Sequence, residues 1–252
     1  MRYISLGSGS KGNATLLEHQ GRSLLIDCGF SRKTLLQRIE SAQADAGQLE
    51  AVLVTHEHGD HAKGVMAVCE LLDIPLYCSQ GTAIHMGWID HPRWQPLTGG
   101  DLASVAGMSV AAVTVPHDAR EPLQFVVEAA GLKVGVLSDL GSLTPHVVAA
   151  YQGCHGLQLE ANHDPDMLRK GPYPPRLQAR VAGPYGHLSN AQCAELIQRI
   201  DWPGVQHLAA GHISEKNNHP DLVGQALAVI PGLSDRPVRL LAQNRVADWC
   251  EF

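Results

Sequence analysis

The sequence contains no run of 18 or more consecutive apolar residues. The nearest, Leu102–Val115, is short and broken by Ser, Gly and Thr, which excludes a membrane-spanning helix there. The opening residues Met1-Arg2-Tyr3-Ile4-Ser5 lack the long apolar core of an export signal, so a cytoplasmic protein with no membrane partner is expected. No Cys-x-x-Cys pair occurs. The six cysteines (Cys28, Cys69, Cys78, Cys154, Cys193, Cys250) lie far apart, which argues against a cysteine-rich zinc knuckle and, without an export signal, against a disulfide framework. Most sit among apolar neighbours and are expected to be reduced core thiols. Linkers and low-complexity tracts are missing too, so one domain over residues 1–252 is expected. Positive charge is in deficit: 19 Lys and Arg against 25 Asp and Glu give a formal net charge of −6. That excludes coating nucleic acid by bulk charge but leaves room for a local basic groove.

What the sequence does have is histidine, 14 residues in all. Imidazole is the commonest metal ligand, so grouping matters more than number. Short apolar strands alternate with helical patterns along the chain. Arg2–Leu6, Thr15–Glu18 and Ser23–Asp27 read as an opening meander, with turns at 7–13 and Gln20-Gly21. Ala51–Thr55, Leu76–Cys78, Val105–Val115, Leu123–Glu128, Leu132–Ser138, Gly156–Glu160 and Val205–Ala210 read as further strands. Val238–Ala242 and Val246–Trp249 read as a closing hairpin. Helices are expected at Ala62–Asp73, Thr144–Gln152, Asn190–Ile200 (N-cap Ser189) and Asp221–Ile230. The alternation implies layered α/β architecture. Asp164–Gly186, rich in Pro and Gly and without periodicity, reads as a long surface loop.

Three imidazoles and a carboxylate fall within His56-Glu57-His58-Gly59-Asp60-His61, directly after a strand. His56 and His58 alternate along an extended segment and so point the same way. Asp60 and His61 sit where the next helix starts. Such a turn offers ligands in two directions, which suits two adjacent metal ions.

This segment is an HxHxDH signature, and with it the whole chain resembles the metallo-β-lactamase superfamily. The resemblance implies a four-layer αββα sandwich of the α/β class, with the site at the shared sheet edge. In order along the chain, Asp27 matches the early aspartate that supports the ligands from behind. His117 matches the third histidine, Asp139 the bridging carboxylate and His212 the last histidine; each follows an expected strand. The resemblance implies that His56, His58, His117 and Asp139 hold one metal, and Asp60, His61, Asp139 and His212 the other. Nitrogen and oxygen ligands without thiolate suit zinc, manganese or iron, and a shared carboxylate suits two divalent ions about 3.5–4 Å apart. Such a pair acidifies a bridging water and clamps a displacement, so hydrolysis is expected.

The superfamily spans many hydrolases, so fold alone does not choose among them. Leu159-Glu160-Ala161-Asn162-His163-Asp164 and His187-Leu188-Ser189-Asn190 are similar to the loops of tRNase Z-type phosphodiesterases. That similarity implies that Glu160 and His187 together protonate the leaving oxygen; in the expected two-metal hydrolysis, Asp60 orients or deprotonates the water. The opening Leu6-Gly7-Ser8-Gly9-Ser10-Lys11-Gly12-Asn13 and the closing Gly211-His212-Ile213-Ser214-Glu215-Lys216-Asn217-Asn218 resemble the YycJ/WalJ-type nucleases. This implies a zinc- or manganese-dependent 5′-to-3′ DNA exonuclease, with DNA favoured over RNA. A small-molecule hydrolase (cyclic phosphodiester or thioester) and an RNA-processing ribonuclease remain alternatives. Arg169, Lys170, Arg176 and Arg180, interleaved with Tyr173 and Tyr185, are candidate substrate contacts for a phosphate backbone, as are His163, Ser189 and Asn190. Trp88 and Trp94 are candidate cleft walls.

Overall fold

The computed structural model describes residues 1–233 and 236–252. Its strands are β1 (Arg2–Gly7), β2 (Ala14–His19), β3 (Arg22–Ile26), β4 (Leu49–Leu53), β5 (Leu76–Cys78), β6 (Trp94–Pro96), β7 (Leu102–Val105), β8 (Met108–Thr114), β9 (Leu123–Ala129), β10 (Leu132–Leu137), β11 (Gly156–Glu160), β12 (His207–Gly211), β13 (Val238–Leu240) and β14 (Cys250–Glu251). Its helices are α1 (Arg32–Ser41), α2 (Gly59–Ala62), α3 (Val65–Leu72), α4 (Gln80–Met86), α5 (Pro145–Ala150), α6 (Pro165–Lys170), α7 (Pro175–Val181), α8 (Asn190–Arg199) and α9 (Pro220–Ala228). None of the described helices is long and apolar enough to cross a membrane.

Two seven-stranded sheets form, in the orders β14-β1-β2-β3-β4-β5-β6 and β13-β12-β11-β10-β9-β8-β7. Strand alternation sorts the apolar side chains into three layers, as a period of two demands. Leu24, Ile26, Ala51 and Leu53 of the first sheet meet Phe125, Val127, Val134 and Val136 of the second between the sheets. Leu25, Val52 and Val54 face the other way, onto Leu35, Ile39, Val65 and Val68 of α1 and α3. Leu157 and Leu159 pack on Cys193, Leu196, Val223 and Leu227 of α8 and α9. Three apolar interfaces make four layers, αββα. Each fully buried Val, Leu, Ile or Phe contributes about 1.5–3 kcal/mol, so the inter-sheet layer fixes the two sheets' edges against each other.

Three hairpins turn on two residues that both have positive φ: Gln20-Gly21, Ala106-Gly107 and Ala130-Gly131. That is the type I′ pattern, whose twist matches the strands it joins. The Ala106-Gly107 turn splits the expected strand Val105–Val115, pairing Val105 with Met108 across the new hairpin of β7 and β8. Two further expectations are corrected. The stretch 164–186 is not a structureless loop. It carries α6 and α7, each opened by proline in its first turn, where the missing N–H costs nothing. Asp164 caps α6 by accepting from the Asp166 and Met167 amides. The closing hairpin does not form either. β13 joins the second sheet parallel to β12, and β14 joins the first sheet antiparallel to β1, so the chain crosses between sheets.

Candidate metal centre

The parallel strands β3 and β4 and the co-directional β8, β10, β11 and β12 all end at one edge. The chemistry-bearing side chains sit on or just beyond those ends. Three of them, Asp27, Asp139 and His212, take left-handed backbone conformations, with φ of 62°, 53° and 51°. Such conformations cost about 1–3 kcal/mol each for non-glycine residues and persist where the surroundings over-determine them. Here they turn each side chain sharply off its strand.

Two groups of donors result. His56, His58 and His117 form one; Asp60, His61, Asp139 and His212 form the other, with donor atoms in each group within 4.8 Å of one another. His56 Nε2 lies 2.9 Å from His58 Nδ1, which lies 3.3 Å from His117 Nε2. Tetrahedral donors at zinc–nitrogen distances would sit about 3.3 Å apart, so these three nitrogens fit a common ion. The rings are held from behind. The His117 Nδ1 is 3.0 Å from the Gly186 carbonyl, and the His61 Nδ1 is 2.7 Å from Asp27 Oδ2. Asp27 is fixed in turn by the Thr55 amide and hydroxyl. These contacts set the tautomer that leaves the other ring nitrogen available to an ion.

His56 Nε2 is 3.5 Å, and His61 Nε2 2.5 Å, from Asp139 Oδ2, so this buried carboxylate touches both groups. His212 Nε2 is buried without a hydrogen-bond partner and faces Asp60 Oδ2 at 3.4 Å. A third group, Asp139, Glu160, His187 and His212, overlaps the second. Within it, Glu160 Oε1 lies 2.7 Å from His187 Nδ1 and 2.9 Å from His212 Nδ1. Glu160 Oε2 accepts from the Leu140 and Leu188 amides.

Electrostatics match a cation site. Burial pushes His56 well down, and neighbouring His61 adds to it, leaving the neutral ring that offers a lone pair. Burial alone would raise Asp139, but His212 and His61 outweigh it and hold the carboxyl well below its usual range. Burial opposes protonation of His61 and His212 as well, yet Asp139 outweighs it and holds both well above the ordinary imidazole value. His187 rises to about 9 against burial, chiefly through Glu160. With protein groups alone, the buried carboxylates are balanced by protons on these rings. Divalent ions on deprotonated rings would supply the same charge, so the residues present fit two metal ions.

Other sequence-identified residues lie elsewhere. Ser189 and Gln192 make a reciprocal capping box at the start of α8. Asn190 exchanges two hydrogen bonds with Asn218, at 2.9 and 2.8 Å. His163 is buried, bridged to Ser189 through the backbone, and its Nδ1 has no hydrogen-bond partner. Arg169 and Lys170 pair with Asp166, and Arg180 pairs with Asp118, so only Arg176 of the expected basic stretch has no carboxylate partner among the described residues. Trp88 and Trp94 pack with the outer apolar layer of the first sheet and do not wall a cleft. The 7–13 turn uses its own amides: Gly9 donates to Asn13 Oδ1 and Lys11 to Gln243 Oε1.

Several supporting residues were not singled out from the sequence. Asn13 Nδ2 lies 3.1 Å from His61 Nε2. Thr55 Oγ1 lies 3.0 Å from His56 Nδ1. Ser8 Oγ accepts from the His212 amide, and Asn162 Nδ2 donates to the His212 carbonyl, clamping the left-handed residue from both sides. A Cβ on Gly29 would fall 1.8 Å from the Asp60 carbonyl, so glycine alone lets this strand end approach the ligand turn. The sequence signals were adjacency for Thr55 and membership of the opening and Glu160 segments for Ser8, Asn13 and Asn162; which atoms they hold needed the fold.

Fold and donor set together define a hydrolase of the metallo-β-lactamase superfamily. The chain belongs to this superfamily: residues 22–213 match the family described as beta-lactamase superfamily domain. It is similar to the exodeoxyribonuclease YycJ of Bacillus anthracis, 27% identical over 91% of this chain and 89% of that protein. It is 30% identical to the exodeoxyribonuclease WalJ of Streptococcus pneumoniae, over 88% of this chain and 84% of that protein. Among solved structures, the metallo-β-lactamase fold protein YhfI of Bacillus subtilis superposes with a TM-score of 0.76, at 14% identity over 98% of this chain and 99% of that one. The short form of human tRNase Z superposes at 0.66, with 18% identity over 98% and 99%.

Proposed function

We propose that this chain is a two-metal phosphodiesterase that shortens DNA from its 5′ end. The observation that carries this reading is Asp139, which joins the two donor groups while the Glu160–His187 pair stands beside it. The near full-length similarity to two proteins named exodeoxyribonucleases supports DNA as the substrate.

His56, His58, His117 and Asp139 would hold one divalent ion, and Asp60, His61, Asp139 and His212 the other. Bound there, zinc or manganese would neutralise the phosphate and acidify attacking water. The protein's own groups do the rest. Asp60, at the mouth of the second group, orients the water and accepts its proton. Glu160 engages His187 Nδ1, which leaves Nε2 as the nitrogen that hands a proton to the leaving oxygen. Asp27 and Thr55 hold the His61 ring through its Nδ1.

Hydrolysis of 5′-labelled duplex DNA and of bis-p-nitrophenyl phosphate, with Zn²⁺ or Mn²⁺, tests the reading. Asp139→Ala is expected to abolish both activities; full activity in that variant would overturn the two-metal assignment.

A further inference from the structure

A cavity of about 150 Å³ opens beside His187. One wall is apolar, made by Tyr173, Leu177 and Val181 of the α6–α7 segment. The lining also includes the polar, uncharged Ser10, Asn162 and Ser214. Its two cationic side chains are both paired: Arg180 with Asp118, which lines the same cavity, and His187 with Glu160. A phosphate placed here would find both cations already paired and the Asp118 carboxylate beside it. A flat heterocycle has the opposite needs: an apolar face to stack on and neutral donors and acceptors at its edge. The volume is about five waters' share of liquid, the size of a single ring system rather than of a chain. The backbone carrying Tyr173 is fixed, since Gln178 Nε2 donates to its carbonyl at 2.9 Å.

We infer that this cavity receives the base of the 5′-terminal nucleoside of the strand being shortened, stacked on Tyr173. The inference rests on the nuclease reading above and deepens it. His187 serves the leaving oxygen and also lines the cavity, so the nucleoside bound here is the one on the leaving side. Hydrolysis breaks the bond from phosphorus to that nucleoside's O3′. The water oxygen stays on phosphorus, and O3′ departs with a proton from His187.

The test compares duplex DNA carrying an intact 5′-terminal nucleoside with DNA whose terminal residue is an abasic tetrahydrofuran. For the metal-loaded wild type, kcat/KM is expected to favour the intact end by on the order of tenfold, as one base–aromatic stack implies. Tyr173→Ala is expected to bring the ratio to one, and Tyr173→Phe, which keeps the ring, to preserve it. A wild-type ratio of one, or a ratio that survives Tyr173→Ala, overturns the assignment while leaving the nuclease reading standing. No cleavage of either DNA overturns both.

Discussion

Glu160 places its Oε1 2.7 Å from His187 Nδ1, and its other oxygen is locked by two backbone amides from separate loops. The carboxylate is fully buried and reaches His187 only because β11 ends where the chain entering α8 passes. A ring held this way presents one nitrogen at a set angle, as general acid catalysis requires.

Removing that nitrogen should matter only where the leaving group needs a proton. His187→Ala is expected to lower kcat on DNA by about 10²–10⁴. Hydrolysis of bis-p-nitrophenyl phosphate, whose leaving group departs as a stable anion, should fall far less. Steady-state kinetics on both substrates check this; equal losses would place His187 among the ligands instead.

The contacts behind the ligands have a measurable role. Thr55 joins Asp27 to His56 and His61, so Thr55→Val removes those contacts with little change of volume. Metal affinity is expected to drop about 10–100-fold, as for other partners of metal-bound histidines. Titration with zinc against a competing chelator measures it, and a circular dichroism spectrum matching wild type shows that the fold is kept.

The six cysteines are buried and unpaired. Burial pushes Cys28, Cys69, Cys78 and Cys193 up to about 12. An unfolded thiol titrates near ~8.5, so the folded state holds these groups neutral while the unfolded state ionises. Their contribution to stability is complete below that value and is lost as pH rises through the interval up to about 12. The native protein is expected to resist thiol-specific disulfide reagents at pH 8 until denatured. Its urea midpoint should fall from pH 8 to pH 10. Rapid native labelling of these thiols, or a midpoint unmoved by pH, would contradict this.

Much of the fold was legible because alternation and X-Gly turns are local signals. Leu24-Leu25-Ile26-Asp27 and Ala51-Val52-Leu53-Val54 each state a strand buried on both faces, and Gln20-Gly21 states its turn. The candidate ligand turn was legible because His56, His58, Asp60 and His61 lie within six residues after a strand. The failures were of two physical kinds. In 164–186 the prolines read as breakers, yet Pro165 and Pro175 open helices too short to show periodicity. Near the C-terminus, pairing of β13 and β14 with different sheets depends on partners some 30 and more than 200 residues away in sequence. The charge pairing of Arg180 with Asp118, 62 residues apart, is equally invisible to local composition, and it leaves Arg180 bound to a carboxylate where a free phosphate contact is expected from the sequence.

The most direct measurement is metal content with activity. The purified chain, stripped by chelator and reloaded with zinc or manganese, is expected to bind two ions and recover DNA hydrolysis. Asp139→Asn, which keeps the shape but loses the shared charge, is expected to bind at most one and stay inactive. Binding of two ions by that variant with wild-type hydrolysis, or full activity of the stripped wild type, would contradict a two-metal centre joined at Asp139.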